Sequence, residues 1–129
     1  GSGTAVSSYF LSFVPPELSA ELFRGLGRDG RRSLLGFGAV KEYASGFSGA
    51  GDGNAGPIVL GVSVGASGFA LGAARAHGAE DMFVEIFRTA AMFGIPEETS
   101  DGVRYAVAGA LGDALLLAML TALPPETYR

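Results

Sequence analysis

Residues 55–74 read AGPIVLGVSVGASGFALGAA, twenty positions without a charge, and how they fold decides the rest of the chain. Read as a helix, Gly61, Gly65, Gly68 and Gly72 recur at spacings of four, three and four and line one face, where another backbone approaches closely. Read as a strand feeding a helix, Gly61-Val62-Ser63-Val64-Gly65 becomes a tight turn that presents Ser63. Pro57 at the start and Arg75, His77 and Gly78 at the end are helix punctuation. Against them stand the β-branched Ile58, Val59, Val62 and Val64, and interior glycines that each cost a helix about 1 kcal/mol. The helical reading predicts an all-α fold, a compact bundle of about five helices around a central Gly/Ala-rich apolar helix. Its alternative is a small α/β fold with a strand-turn-helix over residues 57–77.

Working outward, four further apolar segments carry helix-like signals. Pro15-Pro16-Glu17 opens the first, with Leu18, Leu22 and Leu26 as its inward stripe and Gly25 or Gly27 as its stop. Asp29 caps the second, which runs through Leu34, Leu35, Phe37, Val40 and Tyr43, weakened by Gly36 and Gly38. After residues 57–77 comes the clearest helix. Glu80 and Asp81 open it, Met82, Phe83, Ile86, Phe87, Ala90 and Phe93 share a face, and Gly94 with Pro96 closes it. Thr99 or Ser100 caps the last, which is expected to run to Leu123 before Pro124-Pro125, with Gly102, Ala106 and Gly109 as a smooth face toward the central glycines. Tyr9 to Val14 reads as a short strand or an arm across the bundle. Residues 45–56, rich in Gly, Ser, Asp and Asn, read as a flexible loop. Gly1-Ser2-Gly3 has the look of a cloning remnant, so residues 4–129 are taken as a single helical domain.

At 129 residues the chain buries a genuine core. Charged residues make up only 17% against about a quarter in ordinary soluble domains, so part of the surface is expected to be covered. The absence of Cys excludes disulfides and thiolate chemistry, and favours cytoplasm over a stapled secreted domain. A net charge of −4 repels a phosphate backbone and argues against nucleic acid. Arg28, Arg31 and Arg32, clustered around Asp29-Gly30, form the one basic knot, a candidate anion contact that otherwise reads as a solvated turn.

Residues 57–78 resemble the strand, G-x-S-x-G turn and helix of α/β-hydrolases and of patatin-like acyl hydrolases. The resemblance covers about twenty residues, and it implies Ser63 as nucleophile and the Val64 N–H as an oxyanion donor. An α/β-hydrolase also needs a base, and His77 is the one histidine. Fourteen residues along a helix, at 1.5 Å each, put it about 20 Å from Ser63. A patatin-like dyad would draw its aspartate from Asp101 or Asp113. The bland alternative makes Ser63 a small residue in a tight contact, its hydroxyl bonded to a carbonyl.

Other candidates have structural readings. His77 suits a helix C-terminus as a cation, and no second ligand at metal spacing accompanies it, so no metal is expected. Asp113, on an apolar segment, is expected to form an ion pair with Arg75 or Arg88. With neither a Walker lysine nor a G-x-G-x-x-G in context, no cofactor is expected. Residues 55–74 have the length of a membrane span, yet flanking anchors are poor and the last segment carries Arg104 and Asp113. A membrane-associated helical protein is thus the third reading. The first is a non-enzymatic homo-oligomeric assembly module that uses Met82, Phe83, Phe87, Met92 and Phe93, with room for a small apolar ligand between helices. The second is a small serine acyl hydrolase.

Overall fold

A computed structural model describes every residue except 15, 52, 54, 108 and 125–129. Pro15 and Pro125, read above as helix boundaries, and Asp52 and Asn54 of the expected loop lie outside the described residues. In chain order the elements are α1 (Ser2–Phe10), a 3-10 turn (Leu11–Phe13), α2 (Pro16–Gly25), a wide π-type turn (Leu26–Gly30), β1 (Arg31–Leu34) and β2 (Phe37–Lys41). There follow β3 (Ile58–Val59), β4 (Val62–Ser63), α3 (Val64–Ala76), α4 (Glu80–Phe93), β5 (Pro96–Thr99), β6 (Gly102–Tyr105) and α5 (Gly109–Thr121). The expectation of an all-α bundle is therefore corrected: the fold is mixed α/β, with an antiparallel four-stranded sheet in the order β1-β2-β4-β3 and a separate β5-β6 hairpin.

The stretch 57–77 divides where its composition changes. Ile58, Val59 and Val62, which lose rotamer freedom in a helix, sit in the β3-β4 hairpin, and the Gly/Ala-rich part from Val64 onward is helical. The hairpin closes through Leu60 and Gly61 at φ of 53° and 79°, between the paired Val59 and Val62. Leu35 and Gly36, at 52° and 80° between Leu34 and Phe37, repeat the same construction in β1-β2. Two consecutive left-handed residues make a type I′ turn, whose twist matches the strands it joins. Glycine takes this conformation freely at Gly36 and Gly61, whereas Leu35 and Leu60 are strained in it.

That turn overturns the helix expected from Asp29 to about Ala44, which is instead β1-β2. The last segment is corrected likewise. Residues 96–105 form the β5-β6 hairpin, with Thr99 paired to Gly102, and helix begins only at Gly109. Of the small face expected at Gly102, Ala106 and Gly109, only Gly109 falls in a helix, at the first position of α5, so no continuous helical face forms. Tyr9 to Val14 is neither strand nor arm, for α1 and its 3-10 extension cover it as far as Phe13. Ser2, among the residues set aside, opens α1, where its backbone N–H and its hydroxyl donate to the Glu42 carboxylate.

The core gathers on α3. Its Ala66, Ala70, Leu71, Ala73 and Ala74 are buried, and α1, α4, α5 and β2 pack around it. Small side chains let these neighbours come close. A Cβ at Gly72 would lie 2.5 Å from the Met119 sulfur of α5 and 3.5 Å from the Tyr9 ring of α1. Met82 and Ile86 seal the α4 side, as the expected stripe requires, and Leu26 closes the sheet end. In α2 the inward stripe is shifted: Leu18 is exposed and Ser19 is buried in its place. Among the described residues no helix is long and apolar enough to cross a membrane.

Candidate functional site

Ser63 ends β4 and caps α3. Its backbone is extended, φ −110° and ψ 134°, rather than in the left-handed corner of a nucleophile turn. Its side chain accepts the Ala66 N–H at 3.0 Å and donates to the Ala55 carbonyl at 2.6 Å. Only 1% of the residue is exposed. The hydroxyl is thus saturated and shut away, the posture of an N-cap, and the N–H of Val64 bonds the Pro57 carbonyl instead of standing open for an oxyanion.

His77 lies at the other end of α3, as its C-cap, with thirteen helical residues between it and Ser63. Its Nε2 is 2.8 Å from the Ser19 hydroxyl, and its ring stacks on Phe23 with centroids 4.5 Å apart. Ser19 commits its proton to the Ser8 carbonyl at 2.5 Å, so Nε2–H is the donor to Ser19. Burial pushes the His77 pKa below its ordinary value, and the hydrogen bond to the Ser8 carbonyl opposes this in part. The expectation of a helix-end cation gives way to a neutral imidazole that ties α1, α2 and α3 together. This Ser-His contact was missed in the sequence because its partners stand 58 positions apart. Ser19 is fully buried, which withholds it from any substrate.

The carboxylates and arginines are also engaged locally. Asp113 accepts the Tyr105 N–H at 2.7 Å, docking the hairpin onto α5, where an ion pair with Arg75 or Arg88 was expected. Arg75 donates to the Ala122 carbonyl and lies over the Phe83 ring. Asp101 sits exposed in the β5-β6 turn and accepts the Ser100 hydroxyl. Of the basic knot, Arg28 pairs with Asp29, and Arg31 pairs with Glu85 at 2.6 Å. Arg32 bonds the Arg31 carbonyl, so the three do not converge on one point. Glu85 is held below the usual carboxylate range, chiefly by the Arg31 hydrogen bond and further by Ser33. No group of three or more His, Cys, Asp or Glu suited to a metal occurs among the described residues.

The apolar contact residues separate into two kinds. Met82 belongs to the core; Phe83 and Phe87 are half-buried and stack on each other. Met92 and Phe93 remain at the surface, where Phe93 meets Phe37 edge-on. The surface that sequence reasoning missed is α5. Its inner residues Leu115 and Met119 close on Gly68 and Gly72, while Leu111 and Leu117 stand 82% and 63% exposed. The signal was the run ALLLAML at 114–120, apolar on every side of one helix. No protein-family model and no curated protein sequence matches the chain.

Proposed function

We propose that this protein is a non-enzymatic, self-associating module whose contact surface is the outer face of α5. The observation that carries the reading is the exposure of Leu111 and Leu117 on a helix with no polar stripe to turn toward water. Ala110, Ala114 and Ala118 share the exposed side at spacings of four, which gives a second helix a shallow seat. The two polar side chains of α5 are occupied at home: Asp113 with the Tyr105 N–H, and Thr121 with the Leu117 carbonyl. Water is a poor partner for such a surface, and a matching copy is a good one. Weighing against a serine acyl hydrolase are the buried, saturated hydroxyl of Ser63 and the engagement of the one histidine with Ser19.

Light scattering over a concentration series tests this. A mass that climbs above the 13.1 kDa of one chain, and returns to it in Leu117→Glu, is the expected result. A constant 13.1 kDa at every concentration overturns the proposal, and labelling by a fluorophosphonate that is lost in Ser63→Ala would restore the hydrolase.

A further inference from the structure

A hollow of about 310 Å³ lies on the inner side of α5, between that helix, α3, α4 and the sheet. It is partly open to solvent, for Val59, Phe93 and Leu111 in its lining are exposed, and its size sits at the lower end of the range for small-molecule pockets. At about 30 Å³ for each water-sized group, it holds roughly ten heavy atoms. Small residues on each helix create it: Gly68 on α3, Ala90 on α4 and Gly112 on α5 all line the space. A Cβ on Gly68 would meet nothing nearer than Leu115 at 3.7 Å, so the wall is open there.

The chemistry of the lining is narrow. It includes no charged side chain among the described residues. Ser63, Ser67 and Thr89 contribute hydroxyls, yet each already donates one hydrogen bond and accepts another. Ser63 bonds Ala55 and Ala66, Ser67 bonds the Ser63 carbonyl and the Val40 N–H, and Thr89 bonds the Glu85 carbonyl and the Gly38 N–H. None has a proton left to donate to a ligand. Tyr105 differs. It is among the residues that line the space, its ring packs beside Gly94, and its phenol, which is reached by solvent, makes no hydrogen bond among the described residues, so it can meet the polar end of a ligand at the mouth of the hollow.

We infer that this hollow binds a small neutral amphiphile, an apolar body of about ten heavy atoms carrying one hydroxyl or carbonyl that pairs with the Tyr105 phenol. An anion finds no counter-charge among the described residues of the lining, and a molecule with several polar groups would leave them unpaired against apolar walls. The lining shares Leu111 with the exposed surface of α5 but uses Leu115 and Leu116 and not Leu117, so a substitution at Leu117 separates binding from self-association.

The probe is 1-nonanol, titrated calorimetrically into the full chain, with n-octane and nonanoate as comparisons. Saturable one-to-one binding of nonanol, a rise in Tm at saturation and much weaker binding of nonanoate are expected. Ala90→Phe fills the hollow from α4 and Gly112→Leu from α5. Either one, if folded by circular dichroism, is expected to lose at least tenfold in affinity. Tyr105→Phe is expected to weaken nonanol about five- to tenfold, the worth of one ordinary hydrogen bond, and to leave octane unchanged. Leu117→Glu is expected to bind nonanol as wild type does, which separates this inference from the self-association reading. Unsaturable binding, or an affinity that survives both filling variants, overturns the site; equal nonanol affinity in Tyr105→Phe overturns the role of the phenol.

Discussion

Replacing Ser63 by Ala separates a structural hydroxyl from a chemical one. The substitution deletes one acceptor and one donor, and the two halves do not cost the same. The Ala55 carbonyl keeps the Gly65 N–H at 2.8 Å, so it is not orphaned. The Ala66 N–H belongs to a fully buried residue at the first turn of α3 and loses the oxygen it bonds at 3.0 Å. Loss of an N-cap costs about 1 kcal/mol, and a buried donor left unpaired costs about 1–3 kcal/mol; these describe the same bond, so the net expectation is about 2 kcal/mol. With a urea m-value of about 1–3 kcal/mol/M, that lowers the unfolding midpoint by roughly 1 M with no change in slope. Urea titration followed by far-ultraviolet circular dichroism measures it. Ser63→Thr keeps the cap oxygen, and the extended backbone there suits a β-branched residue, so at least half of the loss is expected to be recovered. An unchanged midpoint in Ser63→Ala would refute the reasoning and release the hydroxyl for chemistry.

Other outcomes follow from the same geometry. Gly68→Ala adds a methyl at ordinary contact distance and removes a helix-interior glycine, so it is expected to raise stability by up to about 1 kcal/mol, whereas Gly72→Ala drives a methyl to within 2.5 Å of the Met119 sulfur and is expected to lower it; thermal melts of the pair decide this. Leu35→Asn and Leu60→Asn, at turn positions 89% and 100% exposed, relieve left-handed strain and are each expected to stabilise by about 0.5–1 kcal/mol, measured by urea midpoints. The native pKa of His77 lies below its unfolded value, so its contribution is complete above about pH 6.5 and is lost as pH falls from there through the native value. Unfolding free energies from pH 8 to 5 are expected to decline on that limb, and less steeply in His77→Phe. Glu85, lowered chiefly by Arg31, adds a second decline below about pH 4.5 that Glu85→Gln removes.

How much of this was legible in the sequence depended on which signals competed. In α4 everything agreed: acidic residues at its start, a 3.6-residue apolar stripe through Met82 and Ile86, and Gly94 beyond its end. In β1-β2 the turn carries Leu35 where Asn or Asp ordinarily marks a type I′ hairpin, so the strands read as one continuous apolar helix. In β5-β6 the marks were present, but Ser100 and Asp101 serve equally as turn and as helix-cap residues. Ile58, Val59 and Val62 spoke plainly for strand and were outweighed by the punctuation at Pro57 and Gly78. The candidate site was less legible still. A G-x-S-x-G pattern does not disclose that its hydroxyl is spent on Ala55 and Ala66, because a carbonyl eight residues upstream has no fixed place in a sequence pattern. The ALLLAML run was visible, but which of its sides stays bare depends on the glycines of α3 that it packs against.

The cysteine-free sequence permits a direct test of the surface on which the functional account rests. Single cysteines placed at Ala110, Ala114, Ala118 and Thr121 along the outer side of α5, and one at Ser33 on the sheet as a control, are oxidised at low protein concentration. A disulfide forms only where two Cα atoms approach within about 7 Å. The account predicts a covalent dimer from at least one α5 position and none from Ser33→Cys. Monomers from every α5 position, or the same slow dimerisation from Ser33→Cys as from α5, would contradict it.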